Sequence, residues 1–257
     1  MRHPSRWPTV GLLIGLLCAP AFVGLVAEDD FDNGLVLYFP FEGSDEAITD
    51  ESGSDNHGEF VGALRTDEGK FGKAIEFPTH LDGATIPDSP SLLVTDGFTA
   101  SVWVYATKFN FAGNGENRVI KRVDQYTIDL LLGKGRMEVR TNGAWAQVAM
   151  APEMPLEEWH MITGTWSQDD GEGKLYRDGF VVKINPSIPS IEENKNVINL
   201  GVDRGLEAYV GRMDEVRIWN RALSEDEVEA LFTFEPVRHV WPAGKLALMW
   251  GSLKHAH

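Results

Sequence analysis

From residue 35 onward the chain is a succession of short runs in which apolar and polar residues alternate, each closed by Gly, Asp, Asn or Pro. The runs cover residues 35–41, 74–77, 98–106, 118–122, 126–132, 136–141, 144–150, 159–167, 174–177, 180–184, 197–201 and 207–219. A period of two sends successive side chains to opposite faces of a strand, so each run has one face to bury and one to show. Many short strands punctuated by turns specify an all-β sandwich or barrel. Asp178-Gly179, between two apolar runs, is the strongest hairpin signal, because a type I′ turn needs positive φ at both central positions. Gly133-Lys134-Gly135 links two further strands.

One short helix is predicted. Ser224 is its N-cap and Glu227 completes a capping box, with Leu223 and Val228 at the staple positions. Glu225, Asp226 and Glu227 face the positive end of the helix dipole. The helix runs to about Phe232, and Pro236 prevents continuation. Residues 233–257 read as a C-terminal tail with Trp241 and Trp250 available for packing, and 246–253 fit a helix as one option.

Residues 1–27 read as an export signal: basic Arg2, His3 and Arg6, an apolar stretch from Val10, and small Ala27 before the acids Glu28, Asp29 and Asp30. An uncleaved anchor is the alternative, since residues 10–27 approach the length that spans a bilayer. The only Cys, Cys18, lies in this segment, so the mature chain has no disulfide. A secreted or extracytoplasmic location follows, with no membrane insertion of the mature chain. Removing Arg2 and Arg6 takes the formal charge from −16 to −18. A field of that sign repels nucleic acid and anionic membranes and suits cations or neutral polymers.

Seven local phrases stand in one order. They begin with Gly34-Leu-Val-Leu-Tyr-Phe-Pro-Phe-Glu42, Asp50-Glu-Ser-Gly-Ser-Asp-Asn-His-Gly58 and Gly69-Lys-Phe-Gly-Lys-Ala-Ile-Glu-Phe77. Phe98-Thr-Ala-Ser-Val-Trp-Val104, Glu158-Trp-His-Met-Ile162 and Lys174-Leu-Tyr-Arg-Asp-Gly179 follow, and the last runs from Gly211 through Met213-Asp-Glu-Val-Arg-Ile-Trp219 to Ser224. Over residues 33–232 the chain resembles the laminin-G-like jelly-roll domains of bacterial secreted proteins, in the concanavalin A-like lectin/glucanase class. The resemblance implies an antiparallel two-sheet jelly-roll sandwich, often with calcium at one edge, serving adhesion or glycan binding.

Between Glu28 and Leu64 the chain holds 11 acids and no Lys or Arg. Calcium takes six to eight oxygens from carboxylates, carbonyls and water. The family's calcium edge carries over to Glu42, Asp50 and Asp214, with carbonyls near Ser52 or Ser54. The loop departs from the family pattern, with Asp55 in place of a Gly, and a solvated acidic loop is the alternative reading. Among the aromatics, Trp103, Trp159 and Trp166 are assigned to the core. Tyr126, Trp145 and Tyr209 are the candidate sugar contacts, since an aromatic ring stacks on the apolar face of a sugar. His160 is expected to satisfy a backbone group.

Catalysis has little support. The Glu-x-Asp-x-Glu strand pattern that would bring two carboxylates within roughly 5–5.5 Å is absent. So are the nucleophile elbow, the zinc-protease helix and the P-loop. The chain is therefore expected to be a non-catalytic binding module for extracellular glycan or glycoprotein. A polysaccharide hydrolase or lyase on the same fold, and a structural protein–protein adhesion domain, are the alternatives.

Overall fold

The computed structural model describes residues 29–236 except 45, 95, 112–113 and 203–207. The export signal and most of the tail lie outside the described residues. A four-residue helix α1 (Asp29–Asp32) precedes β1 (Leu35–Phe39), β2 (Ala47–Ile48), β3 (Gly58–Val61), β4 (Leu64–Thr66), β5 (Ala74–Phe77) and β6 (Gly83–Ile86). Then come β7 (Gly97–Lys108), β8 (Glu116–Arg122), β9 (Tyr126–Leu131), β10 (Lys134–Thr141), β11 (Ala144–Glu153) and β12 (Trp159–Ser167). The series ends with β13 (Glu172–Arg177), β14 (Phe180–Asn185), β15 (Ile198–Leu200), β16 (Val210–Trp219) and α2 (Glu225–Thr233).

The strands form two antiparallel sheets. The first runs β14-β13-β12-β7-β16-β5-β4, with β1 also on β16; the second runs β11-β10-β9-β8-β15-β6-β3-β2. Side chains alternating inward from both sheets fill one core, among them Phe98, Val102, Val104, Ile128, Leu130, Met137, Ile162, Leu175 and Met213. The fold is the all-β jelly-roll sandwich that the family resemblance implied, one of the two architectures that the alternation allowed. Among the described residues no helix is long and apolar enough to cross a membrane.

The first sheet is buried on its outer face as well. Trp103, Met161, Tyr176 and Trp219 point away from the main core and meet Leu223, Val228 and Leu231 of the α2 segment and Phe31 of α1. Trp103 stacks on Phe232 at 5.5 Å. Consequently β7 is buried at eight successive positions from Gly97 to Val104, and alternation is invisible there. Helix α2 has the capping box read from its sequence: Ser224 Oγ accepts from Glu227 N, and the Glu227 carboxylate accepts from Ser224 N. The hairpin at Asp178-Gly179 has φ of 53° and 83°, as a type I′ turn requires. The β9–β10 turn is centred one residue earlier than the glycines imply, on Leu132 (φ 50°) and Gly133 (φ 79°).

Ser224→Ala removes the acceptor for Glu227 N and should lower stability by about 1 kcal/mol. A denaturation midpoint that falls while the slope stays constant is the expected result.

Candidate functional site

The three carboxylates assigned to calcium do not assemble as one set. Asp50 is buried in its own loop. Its Oδ1 accepts from Tyr38 N at 2.8 Å and Ser52 N at 2.9 Å, and its Oδ2 accepts from Ser52 Oγ and Asn56 N, both at 2.9 Å. Four donors use its lone pairs, so Asp50 organises the loop. The same loop explains the departure from the family pattern. Asp55 adopts the left-handed φ of 57° that the replaced Gly would take, a conformation Asp tolerates better than most residues.

Glu42 and Asp214 instead meet at a common turn, residues 69–73. Glu42 Oε1 accepts from Lys73 N at 2.8 Å, and Asp214 Oδ2 accepts from Phe71 N at 2.9 Å. Asp214 stands at a β-bulge. The β16–β7 register slips between Asp214 and Arg217, and Glu215 has φ 53°. Burial and then the neighbouring Glu215 push the Asp214 carboxyl up to about 8. Glu215 accepts from Tyr38 Oη at 2.9 Å and pairs with Arg217 at 2.5 Å. Among the described residues Asp214 has backbone N–H donors and no Lys or Arg ion pair.

Two of the three aromatic candidates are corrected by the structure. Tyr126 is 1% exposed and stacks on Phe98 at 4.5 Å. Tyr209 is 0% exposed, meets Phe77 edge-on and donates its hydroxyl to Arg212 O. Neither reaches a ligand. Trp145 is 37% exposed, two residues after a turn at Asn142 (φ 51°) and Gly143 (φ 78°). Lys121 Nζ stands 6.0 Å from its ring. His160 bonds a side chain rather than a backbone group, with Nδ1 2.9 Å from Asp178 Oδ2.

The second sheet carries on its outer face a charged network that the sequence reading missed. Register aligns Arg118, Asp129 and Arg136 across β8, β9 and β10. Arg136 grips Asp129 with two bonds, Nε to Oδ1 at 2.9 Å and Nη2 to Oδ2 at 2.7 Å, and Arg118 Nη1 reaches the same Oδ2 at 2.6 Å. Glu116 pairs with both arginines, and Glu138 lies 3.0 Å from Arg136. Glu116, Asp129 and Glu138 are the one trio of possible metal-ligating side chains found among the described residues with oxygens within 4.8 Å of one another. Burial pushes the Asp129 carboxyl up against the pull of Arg136 and Arg118, and raises Glu138 likewise. Two guanidinium groups already fill the space between the three carboxylates, so a cation is not needed there. The signal for the network was present as charges two apart, Glu116-x-Arg118 and Arg136-x-Glu138. Each strand supplies one or two members, so a search for three acids on a single strand passes over it.

The two antiparallel sheets, packed face to face over one core, form a concanavalin A-like jelly roll. The chain belongs to the Laminin_G_3 family, described as the Concanavalin A-like lectin/glucanases superfamily, whose model matches residues 79–229. It is similar to the pentraxin-related protein PTX3 of Mus musculus, at 28% identity over 61% of this chain and 44% of that protein. Among solved structures it is similar to the binding domain of Paraclostridial Mosquitocidal Protein 1, with 21% identity and a TM-score of 0.67 over 78% of this chain and 52% of that one. It is also similar to domain 4 of AbnA, an extracellular arabinanase of Geobacillus stearothermophilus solved in complex with arabinotriose. There the identity is 20% and the TM-score 0.62, over 77% of this chain and 97% of that one. The chain thus spans about half the length of the first two.

Asp129→Ala leaves Arg118 and Arg136 buried without their shared carboxylate and should destabilise the fold by about 3 kcal/mol. Urea denaturation of the variant beside the unmodified chain measures it.

Proposed function

We propose that the chain is a non-catalytic, exported module that binds an extracellular glycan or the glycan of a glycoprotein on the outer face of β8–β11. Trp145 carries this reading. It is the one aromatic candidate of the three that reaches solvent, and its strand places it opposite Arg140, at the border of the ion network. A flat indole stacks on the apolar face of a sugar ring, while Gln147, Lys121 and Arg140 stand nearby to take hydroxyls. The relatives support the reading in kind. One is a binding domain, and another is an arabinanase domain holding an oligosaccharide. Trp145→Ala should weaken retention on a matching polysaccharide by about tenfold or more, given the roughly 1.4 kcal/mol that tenfold represents. A glycan array followed by affinity electrophoresis reads this, and full retention by the variant overturns the site.

A hydrolase is the second reading, favoured by the close approach of Glu116, Asp129 and Glu138. A retaining pair needs a similar carboxylate spacing. All three are engaged by arginine here, which opposes a carboxyl that must shed or accept a proton. Release of reducing ends from a bound polysaccharide, lost in Glu138→Gln, would establish the enzyme instead.

We further propose that calcium binds at the 69–73 turn through Glu42 and Asp214, without Asp50. Asp214 is buried beside Glu215 with no Lys or Arg paired to it, and a divalent ion there would offset the repulsion. Calcium should raise the melting temperature by preferential binding to the folded chain. Asp214→Asn should abolish the rise, whereas Asp50→Asn should lower the baseline melting temperature and leave the rise intact. An unchanged melting curve between chelator and millimolar calcium excludes the ion.

A further inference from the structure

Residues directly opposite one another on neighbouring strands share a face, so register links side chains across a whole sheet. In the second sheet one such line runs unbroken over seven strands, from β11 to β3. It passes from Gln147 to Glu138 and Thr127, then to Lys121 and Asn199, and on to Thr85 and Glu59. All of these side chains are polar. They face outward, because the core takes their neighbours in sequence, among them Val139, Ile128, Ile120 and Ile198. Six spacings between seven strands, at about 4.8 Å each, give the row a length of roughly 29 Å.

Three observations join the row into one trough. Its middle is deepest: Thr127 is buried, Glu138, Lys121, Asn199 and Thr85 are half-buried, and Gln147 and Glu59 at the two ends are exposed. Lys121, on β8, reaches back across β9 and β10 until its Nζ is 6.0 Å from the ring of Trp145 on β11. The indole and the row therefore belong to one surface. At the far end, Glu59 and its register partner Ala47 line a hollow of about 330 Å³ together with His57 and Asp88. We infer, resting on the assignment of Trp145 as a sugar platform, that this trough takes a linear, neutral polysaccharide laid across the strands. The polymer is held along an internal stretch rather than by its end. Since β11 is an edge strand, no described strand closes the row beyond Gln147. Amides, hydroxyls, an ammonium and two carboxylates along the row offer both donors and acceptors to successive sugar hydroxyls. A polyanion would instead meet Glu138, Glu59 and a chain of net charge −16.

Calorimetric titration of the whole chain with linear arabino-, xylo-, manno- and cello-oligosaccharides, from disaccharide to octasaccharide, tests this. Oligogalacturonates serve as the charged series. In at least one neutral series affinity should rise about tenfold or more between trisaccharide and octasaccharide, and the charged series should bind more weakly. Asn199→Ala combined with Thr85→Ala should return the octasaccharide to the affinity of the trisaccharide, with the trisaccharide itself unaffected. Glu59→Ala, at an exposed position, should weaken the octasaccharide alone, and melting curves of the variants check that the fold is kept. Trp145→Ala should weaken every length. Equal affinity at all lengths, with Trp145→Ala still harmful, overturns this inference alone and assigns the face to the end of a glycan. Tighter binding of the charged series also overturns it. Binding of no series, or binding indifferent to Trp145→Ala, overturns it together with the sugar platform.

Discussion

The pairing of β7 with β16 along the middle of the first sheet is the constraint on which the rest of the molecule depends. Both strands are long, and both are covered on two sides: by the second sheet within the sandwich, and by α2 and Phe31 outside it. Without that outer layer, Trp103, Met161, Tyr176 and Trp219 would face water. Each such side chain gains about 1.5–3 kcal/mol from burial. A nine-residue helix has little intrinsic stability, which is why its reciprocal cap and the stacking of Phe232 on Trp103 matter. Helix α1 is bound into the same layer, because Trp219 Nε1 donates to Phe31 O at 2.7 Å.

The same strand that anchors the sheet also builds the acidic rim. Regular pleating would send Asp214 and Glu215 to opposite faces of β16. The bulge there adds a residue against β7 and turns Asp214 toward Phe71 while Glu215 meets Tyr38 and Arg217. Tyr38 is tied twice, since Arg217 also lies over its ring at 4.1 Å. The rim turn is therefore held by the core, and a change that shifts β16 would shift the turn with it.

How much of this was legible in the sequence depends on how many neighbours each feature needs. β5 and β12 match the expected runs 74–77 and 159–167 to the residue, because alternation and flanking turns are local properties. β2, β3, β4 and β6 were absent from the reading. They are two to four residues long, and β2 and β3 lie among the acids and glycines that pointed to a metal loop. Tyr126 and Tyr209 were misplaced for a different reason. Tyr126 shares its phase with Ile128 and Leu130, so its own strand already assigned it inward. The exposure of Trp145 was legible from its turn. The ion network was not, since only the registers of three strands bring its five members together.

That network also bears on how the outer face would work as a platform. Three carboxylates and two guanidinium groups satisfy one another out of water, so their geometry is set before any ligand arrives. A buried ionic cluster adds little net stability compared with apolar packing, because desolvation offsets most of the attraction. It does lock strand register, since a slip of one residue would part Arg136 from Asp129 and send every side chain to the other face. With β8, β9 and β10 locked in this way, Trp145 and its neighbours rest on a rigid floor. The side-chain and loop ordering that weakens association is then largely complete in the unbound molecule. A face with the same indole on a loosely registered sheet would have to supply that ordering at each binding event.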